Sequence, residues 1–250
     1  MGENEYTEEK WEGFRLHRFS FEGKEALLVM PDEPANGKWM LKTEYFGAFP
    51  GVELELLKKG YHLAYVANQT RWCLDEDLDR KARFVRYLSH QYPLSPSCVI
   101  VGMSCGGMIG VKFAAKYPDL VSSMYLDAPV MNLLSCPAGI GMAEDSLWEE
   151  FEEATQITLS QLINYREHPV DKMGALLKAD IPIVLVCGGS DTVVPFEENG
   201  RILYDFYRKN GGRIELILKE GCGHHPHGLE QPGRIVELLE GFEEADDGEV

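Results

Sequence analysis

The sequence has little positive charge and no long hydrophobic segment. Its 24 Lys and Arg residues stand against 41 Asp and Glu residues, which gives a formal net charge of −17 at pH 7. Because nucleic-acid affinity comes largely from Lys and Arg that displace counterions, this balance argues against a nucleic-acid partner. No apolar run approaches the roughly 18 residues needed to span a bilayer, so we predict neither a membrane span nor a membrane partner.

Signals for secretion and for disulfide or zinc frameworks are missing as well. Residues 1–10 lack the basic region and apolar stretch of a signal peptide, which predicts a cytoplasmic location. The six cysteines show no CxxC spacing, and several fall inside apolar runs where a thiol behaves as a small hydrophobic group, so we expect neither disulfides nor a zinc site. The acidic stretches 1–10 and 243–249 are predicted to be solvated ends.

Strand-like and helix-like hydrophobic patterns alternate along the chain. A length of 250 residues suits one domain, 1–250, and the alternation predicts an α/β fold: a doubly wound, mostly parallel sheet of about eight strands. The predicted strands are 14–21, 24–30, 39–43, 61–67, 98–101, 121–126, 183–187 and 214–218. The first two form a hairpin that we expect at the edge of the sheet.

Residues 131–179 interrupt this rhythm. Roughly fifty residues separate two predicted strands, whereas such connections are usually only a few residues long. The segment has helical patterns at 147–154 and 159–166 and many acids: Glu144, Asp145, Glu149, Glu150, Glu152 and Glu153. We interpret 131–179 as a small helical cap insertion over a site; an ordinary helical connection is the alternative.

One serine lies in a sequence context typical of a nucleophile. Gly102-Met103-Ser104-Cys105-Gly106 follows a predicted strand and precedes a predicted helix, which is the strand–turn–helix context of a G-x-S-x-G element. The turn must be so tight that side chains beside the serine would collide, which explains the glycines. The helix that begins there offers backbone N–H groups to developing negative charge.

Two later loops contain the acid and base that such a serine needs. Asp191 follows strand 183–187, and His224 lies with His225 and His227 after the last strand. Carboxyl ends of strands are where open α/β sheets build their sites, so these side chains should approach Ser104. Asp127, after strand 121–126, is the rival acid. We predict no metal at the histidines, because consecutive histidines cannot easily point at one ion.

Taken together, residues 102–107, 188–195 and 221–227 resemble the nucleophile, acid and histidine loops of the α/β-hydrolase superfamily, in that family's order. The resemblance extends over residues 14–242. It implies a catalytic triad of Ser104, His224 and Asp191, with His224 chosen because it follows a glycine, and it implies no cofactor. The acyl-enzyme chemistry of the family would act on a small-molecule ester.

The resemblance also implies an oxyanion hole with two backbone donors. One is the residue after the nucleophile, Cys105. The second should follow strand 39–43, where the family's common His-Gly sequence is replaced by residues 43–47, and we choose Tyr45, with Phe46 next.

Arg71 and Trp72 follow another strand end and are candidate substrate-binding residues. Arg71 could bind a carboxylate or hydroxyl group, and Trp72 could stack on a sugar or aromatic ring; a surface ion pair and a packed aromatic are the alternatives.

We expect a carboxylic-ester hydrolase for a small acyl group. A peptidase or amidase is the alternative, from a general similarity to the prolyl-oligopeptidase-like branch, and a non-catalytic binding protein is the third candidate.

Overall fold

The computed structural model describes residues 6–32, 34–144 and 146–247. The predicted solvated ends therefore fall partly outside the described residues, as does Asp145. Within the described part of the chain, no helix is long and apolar enough to cross a membrane.

The protein contains a nine-stranded sheet with the order β1-β2-β3-β5-β4-β6-β7-β8-β9. The pairs β1–β2, β2–β3 and β3–β5 are antiparallel. From β5 to β9, each neighbouring pair in this order is parallel. The strands are β1 Tyr6–Trp11, β2 Phe14–Phe21, β3 Lys24–Met30, β4 Trp39–Lys42, β5 His62–Val66, β6 Cys98–Met103, β7 Val121–Asp127, β8 Ile183–Gly188 and β9 Ile214–Lys219. The prediction of a mostly parallel α/β sheet is confirmed.

The structure adds one strand to the eight predicted. β1 forms the edge of the sheet, so the β2–β3 hairpin lies one strand further in than expected. Residues 6–10 are exposed, as a solvated end would be, and they carry no hydrophobic alternation that would predict a strand. Backbone pairing with β2 orders them, with help from an ion pair between Arg18 Nε and Glu9 Oε1 at 3.0 Å.

Helices cover both faces of the sheet, as a doubly wound fold requires. They are α1 Gly51–Lys58, α2 Asp75–Gln91, α3 Cys105–Lys116, α4 Trp148–Thr155, α5 Leu159–Ile163, α6 Pro169–Lys178, α7 Gly200–Lys209 and α8 Gly233–Asp247. α1 and α8 bury Val52, Leu56 and Ile235 in a cluster on one face. α2, α3, α6 and α7 bury their apolar sides in the larger cluster on the other face.

The long connection between β7 and β8 holds three helices, of which the sequence patterns indicated two. The third, α6, packs against α3 and α7 and so belongs to the layer of helices on the sheet. Its buried side chains are Pro169, Met173 and Leu176. Residues 131–168, with α4 and α5, are the part of the connection that departs from the layered pattern.

Candidate active site

Ser104 lies on a sharp turn between β6 and α3, at the carboxyl edge of the sheet. Its φ of 53° and ψ of −120° are unusual for a residue with a side chain, and the surrounding backbone holds it there. The Ser104 N–H donates to the Asp127 carbonyl at 2.9 Å, and the Val130 N–H donates to the Ser104 carbonyl at 3.1 Å. The serine hydroxyl is thereby fixed above the end of the strand.

Glycines make this turn possible, as the sequence predicted, but the space for a side chain differs among the glycine positions. A Cβ at Gly102 would lie 2.7 Å from the Gly106 carbonyl oxygen, and one at Gly107 would lie 2.5 Å from Pro129 Cβ. At Gly106, the second glycine of the motif, the nearest atom would be Thr43 Oγ1 at 3.1 Å. The tightest requirements for glycine are therefore at 102 and 107.

The loops that carry Asp191 and His224 are joined by backbone contacts. The Ser190 N–H donates to the Cys222 carbonyl at 2.8 Å. A Cβ at Gly188 would lie 2.2 Å from the Gly223 carbonyl oxygen, so only glycine allows the two loops to approach this closely. This contact sets the distance between the acid and the histidine.

Ser104, His224 and Asp191 form a continuous line of hydrogen bonds. His224 Nε2 lies 3.1 Å from Ser104 Oγ, and His224 Nδ1 lies 2.7 Å from Asp191 Oδ2. The other carboxylate oxygen accepts from the N–H groups of Val193 at 2.9 Å and Val194 at 2.8 Å. Because a carboxylate accepts the Nδ1 proton, the Nε2 lone pair of His224 faces the serine hydroxyl.

The rival acid, Asp127, holds a different histidine. Its Oδ1 lies 2.7 Å from His227 Nδ1, and its Oδ2 accepts from the Tyr125 hydroxyl at 3.0 Å and the Gly228 N–H at 2.7 Å. The side chains of both members of this pair are at least nine-tenths buried. Asp127 therefore anchors the histidine loop to β7 and makes no hydrogen bond with His224.

The three histidines of this loop come together, which their adjacency in sequence did not predict. Their ring centroids are 4.8–4.9 Å apart, and each pair of rings is tilted by 66–84°. One ring nitrogen of each lies within 4.8 Å of the others. His225 is largely exposed, and its ring stacks on the ring of Phe49. Desolvation of the covered part of the ring is the main cause that lowers the pKa of His225, and the neighbouring imidazoles lower it further.

Cys105 and Tyr45, the predicted oxyanion donors, both line the cavity at Ser104. Cys105 is the first residue of α3, so its N–H points from a helix N-terminus. The Tyr45 N–H is 3.3 Å from Glu44 Oε1, and Tyr45 has a φ of 57°. Burial raises the pKa of the Cys105 thiol to about 11, so the thiol is neutral near pH 7 and is a weak nucleophile.

Two residues that the sequence reasoning missed fix the loop of Tyr45 against the turn at Ser104. Thr43 Oγ1 donates to the Gly106 carbonyl at 2.6 Å, and Asn68 Nδ2 donates to the Thr43 carbonyl at 2.8 Å. Both follow strand ends, the position that led us to Asp127 and Asp191, and that rule could have found them.

A cavity of about 310 Å³ opens at Ser104. Apart from the histidines and one arginine its wall is mostly apolar, and the connection after β7 contributes Cys136 and Leu147. The lining residues are Tyr45, Ala48, Phe49, Arg71, Met103, Ser104, Cys105, Cys136, Leu147, Val193, His224, His225 and His227.

The structure separates the two predicted substrate-binding residues. Arg71 lines the cavity, where it is paired with Glu150, with Nε 2.7 Å from Oε1. Trp72 does not line it: the indole is 1% exposed, packs edge-on against Phe151 of α4 at 5.4 Å, and donates to Glu150 at 3.0 Å. The ring of Trp72 is thus not available for stacking on a substrate, because α4 covers it.

Comparisons with known proteins agree with this fold. Residues 68–158 match the family described as the alpha/beta hydrolase fold. Among solved structures, the chain is similar to Pyrococcus horikoshii acylaminoacyl peptidase, with 13% identity and a TM-score of 0.65 over 95% of this chain and 39% of that one. For Porphyromonas gingivalis dipeptidyl peptidase 4 the identity is 15% and the TM-score 0.65, over 95% and 35% of the two chains.

A carbohydrate esterase from gut microbiota is also similar, with 15% identity and a TM-score of 0.64, over 87% of this chain and 90% of that one. The chain spans little more than a third of the two peptidases' length. A search of curated proteins gave no significant match. The fold that the resemblance implied is nevertheless confirmed by the sheet, the family match and the structural neighbours: this chain has the α/β-hydrolase fold.

Proposed function

We propose that this chain hydrolyses carboxylic esters of small acyl groups, with Ser104 as the nucleophile. The observation that carries the proposal is the line of hydrogen bonds from Ser104 Oγ through His224 to Asp191, which ends at a mostly apolar cavity. This combination of nucleophile, base and orienting acid is the arrangement that activates a serine hydroxyl.

The proposed reaction proceeds through an acyl-enzyme. His224 Nε2 takes the Ser104 proton while the serine oxygen attacks the ester carbonyl carbon, and Asp191 stabilises the imidazolium that forms. The same proton passes to the alcohol oxygen as its bond to the carbonyl carbon breaks. Water, deprotonated by His224, then attacks the acyl-enzyme and releases the acid and free Ser104.

The oxyanion of each tetrahedral intermediate needs donors, and we assign the N–H groups of Cys105 and Tyr45 to this role. Cys105 offers the dipole of the α3 N-terminus, and Tyr45 would exchange its 3.3 Å contact with Glu44 Oε1 for the oxyanion.

A small and largely neutral substrate suits the cavity. Its volume of about 310 Å³ is at the lower end of the range for ligand sites, and most of its wall is apolar. Arg71, an arginine in that wall, already has a carboxylate partner in Glu150, which reduces its attraction for an anionic substrate. We propose that the cap segment, through Cys136 and Leu147, selects the acyl or alcohol group.

A peptidase is the second candidate, and the structural similarity to an acylaminoacyl peptidase and a dipeptidyl peptidase favours it. The similarity to a truncated form of a carbohydrate esterase, over nine-tenths of that truncated chain, supports the ester proposal. An ester panel of increasing acyl length, run beside aminoacyl anilides, separates the two. Faster turnover of anilides than of every ester would replace the ester proposal with the peptidase.

A fluorophosphonate probe tests the nucleophile directly, because only an activated serine attacks such a phosphorus centre quickly. We expect intact mass to show one adduct on the wild-type protein and none on Ser104→Ala. Ser97→Ala is the matched control, since Ser97 is equally half-buried but precedes β6 at the opposite end of the same strand. Equal labelling of Ser104→Ala would assign the nucleophile elsewhere and refute the proposal.

A further inference from the structure

The three histidines beside Ser104 form a cluster that the proposed reaction uses only in part. We propose that His224, His225 and His227 bind one divalent transition-metal ion such as Zn²⁺, and that the bound ion inhibits the hydrolase. Binding itself does not depend on the proposed function, whereas the inhibition does.

Hydrogen bonds to two buried carboxylates orient two rings of the cluster for a metal. His224 Nδ1 lies 2.7 Å from Asp191 Oδ2, and His227 Nδ1 lies 2.7 Å from Asp127 Oδ1. In the neutral form of each ring, a proton on Nδ1 that is donated to the carboxylate leaves the lone pair on Nε2. A carboxylate on the far nitrogen of a ligating histidine is the usual outer partner in zinc sites, where it fixes the tautomer and the ring orientation.

The arrangement of the rings also suits a common ion. Tetrahedral zinc with imidazole bonds of about 2.0–2.1 Å needs ligand nitrogens roughly 3.4 Å apart. One ring nitrogen of each histidine lies within 4.8 Å of a ring nitrogen of each of the others, and the rings are strongly tilted to each other rather than stacked in parallel. The ring nitrogens therefore need to move closer together by little more than an ångström to reach the ~3.4 Å spacing of zinc ligands. His225 is exposed and so has room to rotate.

Three imidazoles and no thiolate or carboxylate ligand favour Zn²⁺, Cu²⁺ or Ni²⁺ over Mg²⁺ or Ca²⁺, which prefer oxygen. A fourth position remains for water or for the Ser104 hydroxyl. The metal would take the Nε2 lone pair of His224, which is the acceptor that lies 3.1 Å from Ser104 Oγ. His224 could then no longer remove the serine proton, so metal binding and ester hydrolysis exclude each other.

Isothermal titration of the full chain with Zn²⁺ tests binding without reference to activity. We expect one saturable equivalent in the wild type, no binding of Mg²⁺ at the cluster, and a dissociation constant roughly tenfold or more weaker in His225→Ala. Asp127→Asn should weaken binding about 10–100-fold, since an amide at that position favours the His227 tautomer with a protonated Nε2.

Two matched controls should bind Zn²⁺ as the wild type does. His90→Ala removes an exposed histidine on α2, and Cys222→Ser removes the half-exposed thiol two residues before His224. Absence of saturable binding in the wild type would refute the site. So would unchanged affinity in His225→Ala, or a loss of affinity in Cys222→Ser that exceeds the loss in His225→Ala.

Turnover of a neutral ester, measured across the same Zn²⁺ range, tests the inhibition. We expect loss of activity that follows the binding curve and returns on addition of a chelator. Stoichiometric binding with unchanged turnover would refute the inhibition and leave the metal site. Stoichiometric binding to a chain that hydrolyses no ester at all would refute the proposed function instead.

Discussion

Two histidine–aspartate pairs lie side by side at the carboxyl edge of the sheet and have nearly the same local geometry. In both, Nδ1 lies 2.7 Å from a buried carboxylate oxygen. They differ in what each member contacts next. His224 meets the Ser104 hydroxyl, and the second oxygen of Asp191 accepts two backbone N–H groups of its own loop. The second oxygen of Asp127 instead ties the histidine loop to β7.

This comparison shows that a buried histidine–carboxylate pair does not by itself identify a catalytic base. The next contact distinguishes the two pairs: one reaches the Ser104 hydroxyl, which we propose as the nucleophile, and the other joins the histidine loop to β7. The contrast makes quantitative predictions, because the first pair should govern turnover and the second should govern stability.

The largest effect should come from the two histidines. We expect His224→Ala to lower kcat by about 10⁶-fold, the loss typical when a triad base is removed. His227→Ala should lower it by far less, because His227 makes no contact with Ser104 Oγ. Initial rates with a neutral ester, measured at a temperature well below the melting transition of each variant, provide the measurement. An equal loss in His227→Ala would remove the distinction between the pairs.

The second-largest effect should be the difference in kcat between substitutions of the two aspartates. Asp191→Asn should lower kcat by about 10⁴-fold, because an amide cannot stabilise the imidazolium and favours the wrong tautomer of His224. Asp127→Asn should lower it by a much smaller factor, since His224 keeps its own carboxylate. The same rate assay decides the ranking, and the reverse order would make Asp127 the catalytic acid.

Substitutions of Asp127, which are expected to have little effect on turnover, should have a large effect on the free energy of unfolding. Asp127→Ala leaves the buried Tyr125 hydroxyl, the Gly228 N–H and His227 Nδ1 without their acceptor, so the free energy of unfolding should fall by about 3–5 kcal/mol. Asp127→Asn should cost less, because the amide oxygen can still accept from Tyr125 and Gly228. Urea unfolding measures both variants. Equal stability of Asp127→Ala and wild type would contradict the anchoring role.

The smallest effect should come from Tyr125→Phe, which removes only the 3.0 Å hydrogen bond to Asp127 Oδ2. Tyr125 is fully buried, and the lost bond should cost about 1 kcal/mol in urea unfolding. The turnover of this variant should stay within a factor of about two, given the ±0.5 kcal/mol scale of such remote effects. A larger loss of turnover would mean that the Asp127 pair contributes to catalysis through the histidine loop.

Much of the fold could be predicted because its signals are local. The buried strands carry continuous apolar runs, and the glycine-flanked Ser104 marks the turn between β6 and α3. β1 could not be predicted, because its exposed residues are ordered mainly by backbone pairing with β2 and show no hydrophobic alternation. Local patterns could not predict the role of Trp72 either, because its indole is covered by α4, which lies more than seventy residues later in the sequence.

The sequence by itself determined the α/β class, the order of the three loops, and Ser104, Asp191 and His224 as candidate residues, because tight turns and strand ends constrain which residue types can occupy them. Only the tertiary structure decided which carboxylate holds which histidine, how closely the three imidazoles approach, and which residues of the connection after β7 line the cavity. The physical reason is that hydrogen-bond partners are chosen by differences of a few tenths of an ångström between loops that lie 33 to 100 residues apart in the sequence.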